Sequence, residues 1–114
     1  MSRPDYQSIS ILVTQADIDD GIKSDCRACA VARAINRHLA SGFCAEVGAE
    51  NGMIAVGRPR IYRGRSQFIT QWMQHGRYIA STLIPWINAW DRGEAVQPFR
   101  FSLDLPIRLL PSES

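Results

Sequence analysis

Cys26 and Cys29 form a Cys-x-x-Cys pair within Ser24-Asp25-Cys26-Arg27-Ala28-Cys29, at the start of an expected helix. A helix N-terminus favours a thiolate, and two sulfurs at this spacing can close a disulfide or supply two of the four ligands of a zinc site. At about 100° per residue, Cys26 falls opposite Ile35 and Cys29 falls off the centre of the apolar stripe. Both then share a side with Arg33, whose charge would lower a thiol pKa. The competing reading is two small apolar residues under a neighbouring loop, because unpaired cysteine is among the most buried residue types. Nothing in the chain completes a redox or zinc centre. No strand leads straight into the pair, no aromatic-Cys-Gly-Pro run occurs, and Cys44, His38 and His75 make no second close pair. No cofactor and no metal are therefore expected.

A second candidate is the basic run Arg58, Arg60, Arg63 and Arg65, interleaved with Tyr62 and followed by Arg77. In a strand, Arg58 and Arg60 share a face and Ile61 takes the other. Such a segment suits contact with phosphates or with a protein, with Tyr62 available to stack. It equally suits an edge strand guarded by charge against aggregation. Trp72 is the expected exposed aromatic anchor, while Trp86, Trp90, Phe99 and Phe101 belong to the core by spacing. The acidic turn Asp17, Asp19 and Asp20, with Asp25 behind it, lacks calcium-loop spacing and is explained by the preference of helix starts for carboxylates. There is no Gly-x-Ser-x-Gly, phosphate-binding Gly-rich loop or His-Glu-x-x-His, so no enzyme is expected.

The elements that must position these residues follow from periodicity. Ile9, Ile11 and Val13 mark a half-buried strand. Thr14 and Asp17 make a capping box for a short helix that ends at Gly21, with Ile18 as its core residue. Ser24 or Asp25 caps a main helix running to about Ala40, with Ala28, Val31, Ala32, Ile35 and Leu39 on its buried face. Phe43 to Val47 and Met53 to Val56 are strands joined at Asn51-Gly52. Arg58 to Arg65 is an edge strand, since Pro59 cannot donate to a ladder. Residues 66–80 fit a strand and a helix equally. Ser81-Thr82 opens a short helix with Pro85 in its first turn and Gly93 at its end. Phe99, Phe101 and Leu103 define a final strand whose parity continues through Leu105, Ile107 and Leu109. The expected class is α+β, a single domain over 1–114: mainly one antiparallel sheet of four to six strands, with helices on one face, one long and one or two short.

Composition narrows the classes further. The chain has 114 residues and a formal net charge of +2, which predicts neither a whole-surface DNA-binding field nor an acidic DNA mimic. Lys23 is the only lysine. The arginine bias suits planar, bidentate contacts, and a GC-rich genome would produce it as well. Three cysteines fit a reducing compartment. No run approaches the roughly 18 apolar residues of a membrane span, and the N-terminus lacks a signal peptide's apolar segment. A cytoplasmic location without membrane contact is expected.

Val13 to Gly21, Asp25 to Ile35 and the ending Trp90 to Phe101 together resemble a group of small phage and prophage proteins that carry an Asp-Cys-x-x-Cys helix. The resemblance covers roughly residues 10–40 and 83–103. Many of those proteins have Pro after the second Cys, where this chain has Ala30, which weakens a redox inference. The resemblance implies a phage accessory protein, and by analogy with other such proteins an anti-CRISPR-like inhibitor. In that expectation the chain binds a host defence (CRISPR effector) subunit in the host cytoplasm through Arg58, Arg60, Tyr62, Arg63, Arg65, Trp72 and Arg77. The alternatives are a small nucleic-acid-binding regulator using the same arginines, or a dithiol or zinc protein using Cys26 and Cys29.

Overall fold

A computed structural model describes residues 5–48, 52–74 and 77–111, the last of these with backbone alone for 77–80. The order is β1 (Tyr6–Val13), α1 (Gln15–Asp20), α2 (Ala30–Asn36), β2 (Cys44–Gly48), β3 (Met53–Tyr62), β4 (Arg65–Gln74), α3 (Arg77–Asp91) and β5 (Phe99–Pro106). A single 3-10 turn, Ile107–Leu109, follows. The class is α+β, as expected. The strands, however, divide into two antiparallel sheets, β1-β5 and β2-β3-β4, instead of joining in one.

The division has a physical cause in α2. Five of its residues, Ala30, Val31, Ala32, Ala34 and Ile35, are buried, so it is apolar nearly all round. A helix of that kind must be covered on several sides. It packs against β1 of one sheet and β2 of the other, with α1 alongside. Alanine keeps the approach close. Helices confined to one face of one sheet could not bury it.

The main helix is also shorter than its periodicity predicts. The Asp25 carboxylate accepts the amides of Arg27 and Ala28 at 2.9 and 3.1 Å, closing a turn instead of starting a helix. Ser24 there has a φ of 61°, in the left-handed region, and its amide donates to Asp91. At the far end His38 and Leu39 make i−3 bonds to Ile35 and Asn36, so the α-helix tightens and stops. The Asn36 side chain accepts the Ala45 amide at 2.7 Å, which pins β2 to the end of α2.

The long helix is α3. It begins at Arg77, ahead of Ser81-Thr82, so Pro85 lies in its interior, on an exposed position. Gly93 ends it as expected: its amide bonds the Trp90 carbonyl while the Glu94 amide reaches Ala89, a Schellman closure. Leu83, Ile87 and Trp90 are buried. Trp86 stacks on Trp90 and touches Phe99, which stacks on Phe101, so one aromatic row carries α3 onto β5. The parity of β5 breaks at the 3-10 turn, which exposes Ile107 and buries Leu109. Asn51 of the expected turn, and His75, lie outside the described residues.

Asp17 holds the centre of this arrangement. The capping box is present: the Asp17 amide donates to the Thr14 hydroxyl, and the Asp17 carboxylate accepts the Thr14 amide. That carboxylate is fully buried and also takes a two-pronged contact from Arg37, at 2.6 and 2.7 Å. The same guanidinium donates to the Leu12 carbonyl, and Arg33 lies 3.6 Å from the carboxylate. The expectation treated Asp17 as a capping-box and helix-start residue; the fold uses it also as a buried counter-ion.

Burial alone would raise the Asp17 pKa, but the bonds from Arg37 and Thr14 outweigh it and hold the carboxyl below the ordinary carboxylate range. A lowered carboxyl contributes stability that is fully present above about pH 4 and is lost as pH falls through the folded value. Asp17→Ala is expected to lower the unfolding free energy by about 2–3 kcal/mol, below the roughly 3–5 kcal/mol of a fully buried pair because Arg37 remains half exposed. Asp17→Asn should flatten the acid limb of stability below about pH 4, measured by urea denaturation across pH.

Candidate nucleic-acid interface

The arginine run lies on the far half of the β3–β4 hairpin. β2 pairs with β3 only as far as Cys44 opposite Gly57. From Arg58 onward β3 has β4 on one side and nothing on the other among the described residues. The expected edge strand is present over Arg58–Tyr62 as the continuation of β3, which is central up to Gly57, and Arg63 and Gly64 form the turn. Pro59 is tolerated because the side without β2 needs no ladder donor. Five residues per strand extend about 17 Å past the sheet as a two-stranded arm. Residues 66–74 resolve as strand.

A bulge sets the arm's direction. The register passes from Val56 opposite Trp72 to Gly57 opposite Thr70, which leaves Gln71 without a partner. Arg108 donates to the Gln71 carbonyl at 2.8 Å and holds the bulge. Gly57 is required by closeness: a Cβ there would sit 2.3 Å from the Ile69 carbonyl oxygen. At the tip Arg63 and Gly64 have φ of 51° and 74°, the two left-handed residues of a type I′ hairpin turn.

Register assigns the faces. Arg58 pairs with Ile69, Arg60 with Gln67 and Tyr62 with Arg65, and these share one face. Pro59 pairs with Phe68 and Ile61 with Ser66 on the other. Arg58, Arg60, Tyr62, Arg63, Arg65 and Gln67 are all exposed, and Ile61 near the tip is 78% exposed. The guanidiniums are ordered by aromatic rings: Arg60 and Arg63 each lie 5.4 Å from the Tyr62 ring, and Arg58 lies 4.3 Å from Phe43 at the base.

Two expected site residues do not join this set. Trp72 lies below the bulge, half-buried and packed against the core, so it is not an exposed anchor. Arg77 opens α3, and its side chain lies outside the described residues. Gln67, which shares a pair with Arg60, had no signal of its own before the register was known.

One electrostatic signal was present in the sequence and is sharper than the net charge. Between Asn51 and Trp90 there is no Asp or Glu, while five of the thirteen cationic residues fall there. The remainder of the chain is net negative, so a total of +2 conceals a strongly uneven distribution. No carboxylate on the arm neutralises its arginines.

The dithiol is arranged differently from expectation. Cys26 is exposed on the turn before α2, and Cys29 is buried as the N-cap of α2, its sulfur accepting the Ala32 amide at 3.4 Å. Arg33 is turned to Asp17 and Asp20 and does not serve the thiols. Burial pushes the Cys26 thiol up, with Glu46 adding and Arg27 opposing; burial also raises Cys29. Both thiols are thus held protonated near neutrality. They line a cleft of about 480 Å³ with Asp25, Asp91, Met53 and Ile87. Both of these carboxylates are engaged by backbone amides. Among the described residues no group of three or more His, Cys, Asp or Glu is placed to hold a metal ion, and no helix is long and apolar enough to cross a membrane.

No protein-family model, curated protein or solved structure matches the chain.

Two outcomes follow from this geometry. Iodoacetamide at pH 7 should modify the native thiols at least about threefold more slowly than free cysteine, with the rate at Cys26 climbing in alkaline solution, as read by mass spectrometry over a pH series. Gly57→Ala should cost about 1–3 kcal/mol in chemical denaturation and speed amide exchange at 58–69, because the backbone of Ile69 must retreat.

Proposed function

We propose that the chain is a non-catalytic nucleic-acid-binding protein that works through the β3–β4 arm. The observation that carries this reading is a projecting two-stranded ribbon with four exposed arginines and no carboxylate. A ribbon free of β2 leaves one edge and the arginine face open to a partner. Guanidiniums ordered on Tyr62 and Phe43 lose less side-chain freedom on binding phosphate than mobile ones would. The negative remainder of the chain turns other surfaces away from a polyanion and so orients the arm toward it. The geometry moves this reading ahead of protein inhibition, which the sequence had put first.

The other reading, contact with an acidic face of a host defence protein such as a CRISPR effector subunit, draws support from a specific feature. The face opposite the arginines presents Pro59 and the largely exposed Ile61, and the arm carries no lysine. Apolar side chains beside arginine and tyrosine are the composition of a protein interface.

Fluorescence anisotropy with a labelled 20-base-pair DNA duplex, a single strand and an RNA hairpin at about 50 mM salt tests the proposal. Wild type should bind at least one of them, with affinity falling steeply as salt rises. Arg63→Ala with Arg65→Ala should weaken binding at least tenfold and make the salt slope shallower by about two, with circular dichroism unchanged. Absence of binding at low salt would overturn the reading and leave the protein contact.

A further inference from the structure

We infer that the arm's partner is B-form duplex DNA, entered through the major groove, with Arg60 and Gln67 touching base edges. This deepens the nucleic-acid reading and rests on it.

The first argument concerns aromatic faces. Sequence-tolerant binding of single strands needs open rings on which bases stack. The rings of the arm are already covered: Tyr62 by Arg60 and Arg63, and Phe68 by the Arg27 guanidinium at 4.9 Å. Phe43 at its base is covered by Arg58. The arm therefore offers cations and no free stacking platform.

The second argument is one of size and shape. Two strands about 4.8 Å apart, with their side chains, match a groove about 12 Å wide, and B-DNA's major groove admits such a ribbon. The deep, narrow major groove of A-form RNA does not. The narrower minor groove of B-DNA would require edgewise entry, whereas Arg58, Arg60 and Arg65 share one face of the ribbon.

The third argument is the chemistry of that face. Arg60 and Gln67 are cross-strand partners, so a guanidinium and a carboxamide project side by side. A guanidinium forks onto the O6 and N7 of guanine, and a carboxamide pairs with the N6 and N7 of adenine. Arg58 and Arg65, toward the ends of the same face, and Arg63 on the turn reach the flanking phosphates. Such a set gives register from the phosphates and sequence preference from the central pair.

Selection from a randomised duplex pool, followed by anisotropy on the selected site, tests the inference. The expected result is a short site containing guanine and adenine. Replacing the key purines by 7-deaza analogues, which lack only the major-groove N7, should weaken binding about tenfold. Gln67→Ala, an exposed substitution on β4, should remove the preference at the adenine. Salt-sensitive duplex binding with no sequence preference and no response to 7-deaza purines would overturn the inference and spare the nucleic-acid reading. Displacement by the minor-groove ligand netropsin, with no 7-deaza effect, would do the same. No affinity for any nucleic acid at about 50 mM salt would remove both together.

Discussion

The structure depends on a short helix that cannot stand by itself. α2 has seven residues, fewer than an isolated helix needs to persist in water, and five of them are buried. It exists because two sheets close on it, and those sheets stay in place because it fills the space between them. Asp17 fixes the geometry of that mutual support. One buried carboxylate ties the start of α1 to Thr14, holds Arg37 at the end of α2, and through Arg37 reaches the last residues of β1. Removing the charge takes the buried counter-ion from the half-exposed Arg37 and unties the start of α1 from the end of α2.

The position of the arm follows from that centre by short steps. Asn36 pins β2 to the end of α2, and β2 sets β3 in register through Gly57. Past Gly57 β3 pairs with β4 alone among the described residues, and the bulge at Gln71, held by Arg108, fixes the angle at which the hairpin leaves the body. In the reading we propose, the body orients the arm and the arm makes the contact.

The Cys-x-x-Cys pair illustrates how spacing alone misleads. Two cysteines at a helix start predict an acidic thiol when the helix begins before them and its dipole faces them. Here the helix begins after Cys29, which becomes the cap, and Asp25 folds the preceding residues into a turn. Cys29 is buried, Cys26 is exposed, and both thiols are held protonated. The same residue types, displaced by four positions relative to the helix, do structural work.

Local patterns determined much of this protein. The Thr14 capping box, the stop at Gly21, the closure at Gly93, the alternation of β1 and β5 and the buried face of α3 each depend on residues a few positions apart, and each appears where the sequence puts it. What the tertiary structure alone decided involves residues far apart in the chain. The burial of Asp17 needs Arg37, the partition into two sheets needs a helix covered on several sides, and the half-burial of Trp72 needs the bulge beside it. The arm carries both kinds of information. Its arginines and its freedom from acids are written in the sequence, whereas their common face with Gln67 arises from cross-strand register, which no local pattern encodes. Short-range hydrogen bonding and periodicity act along the chain and are legible there; desolvation and register are properties of surfaces brought together, and only folding creates them.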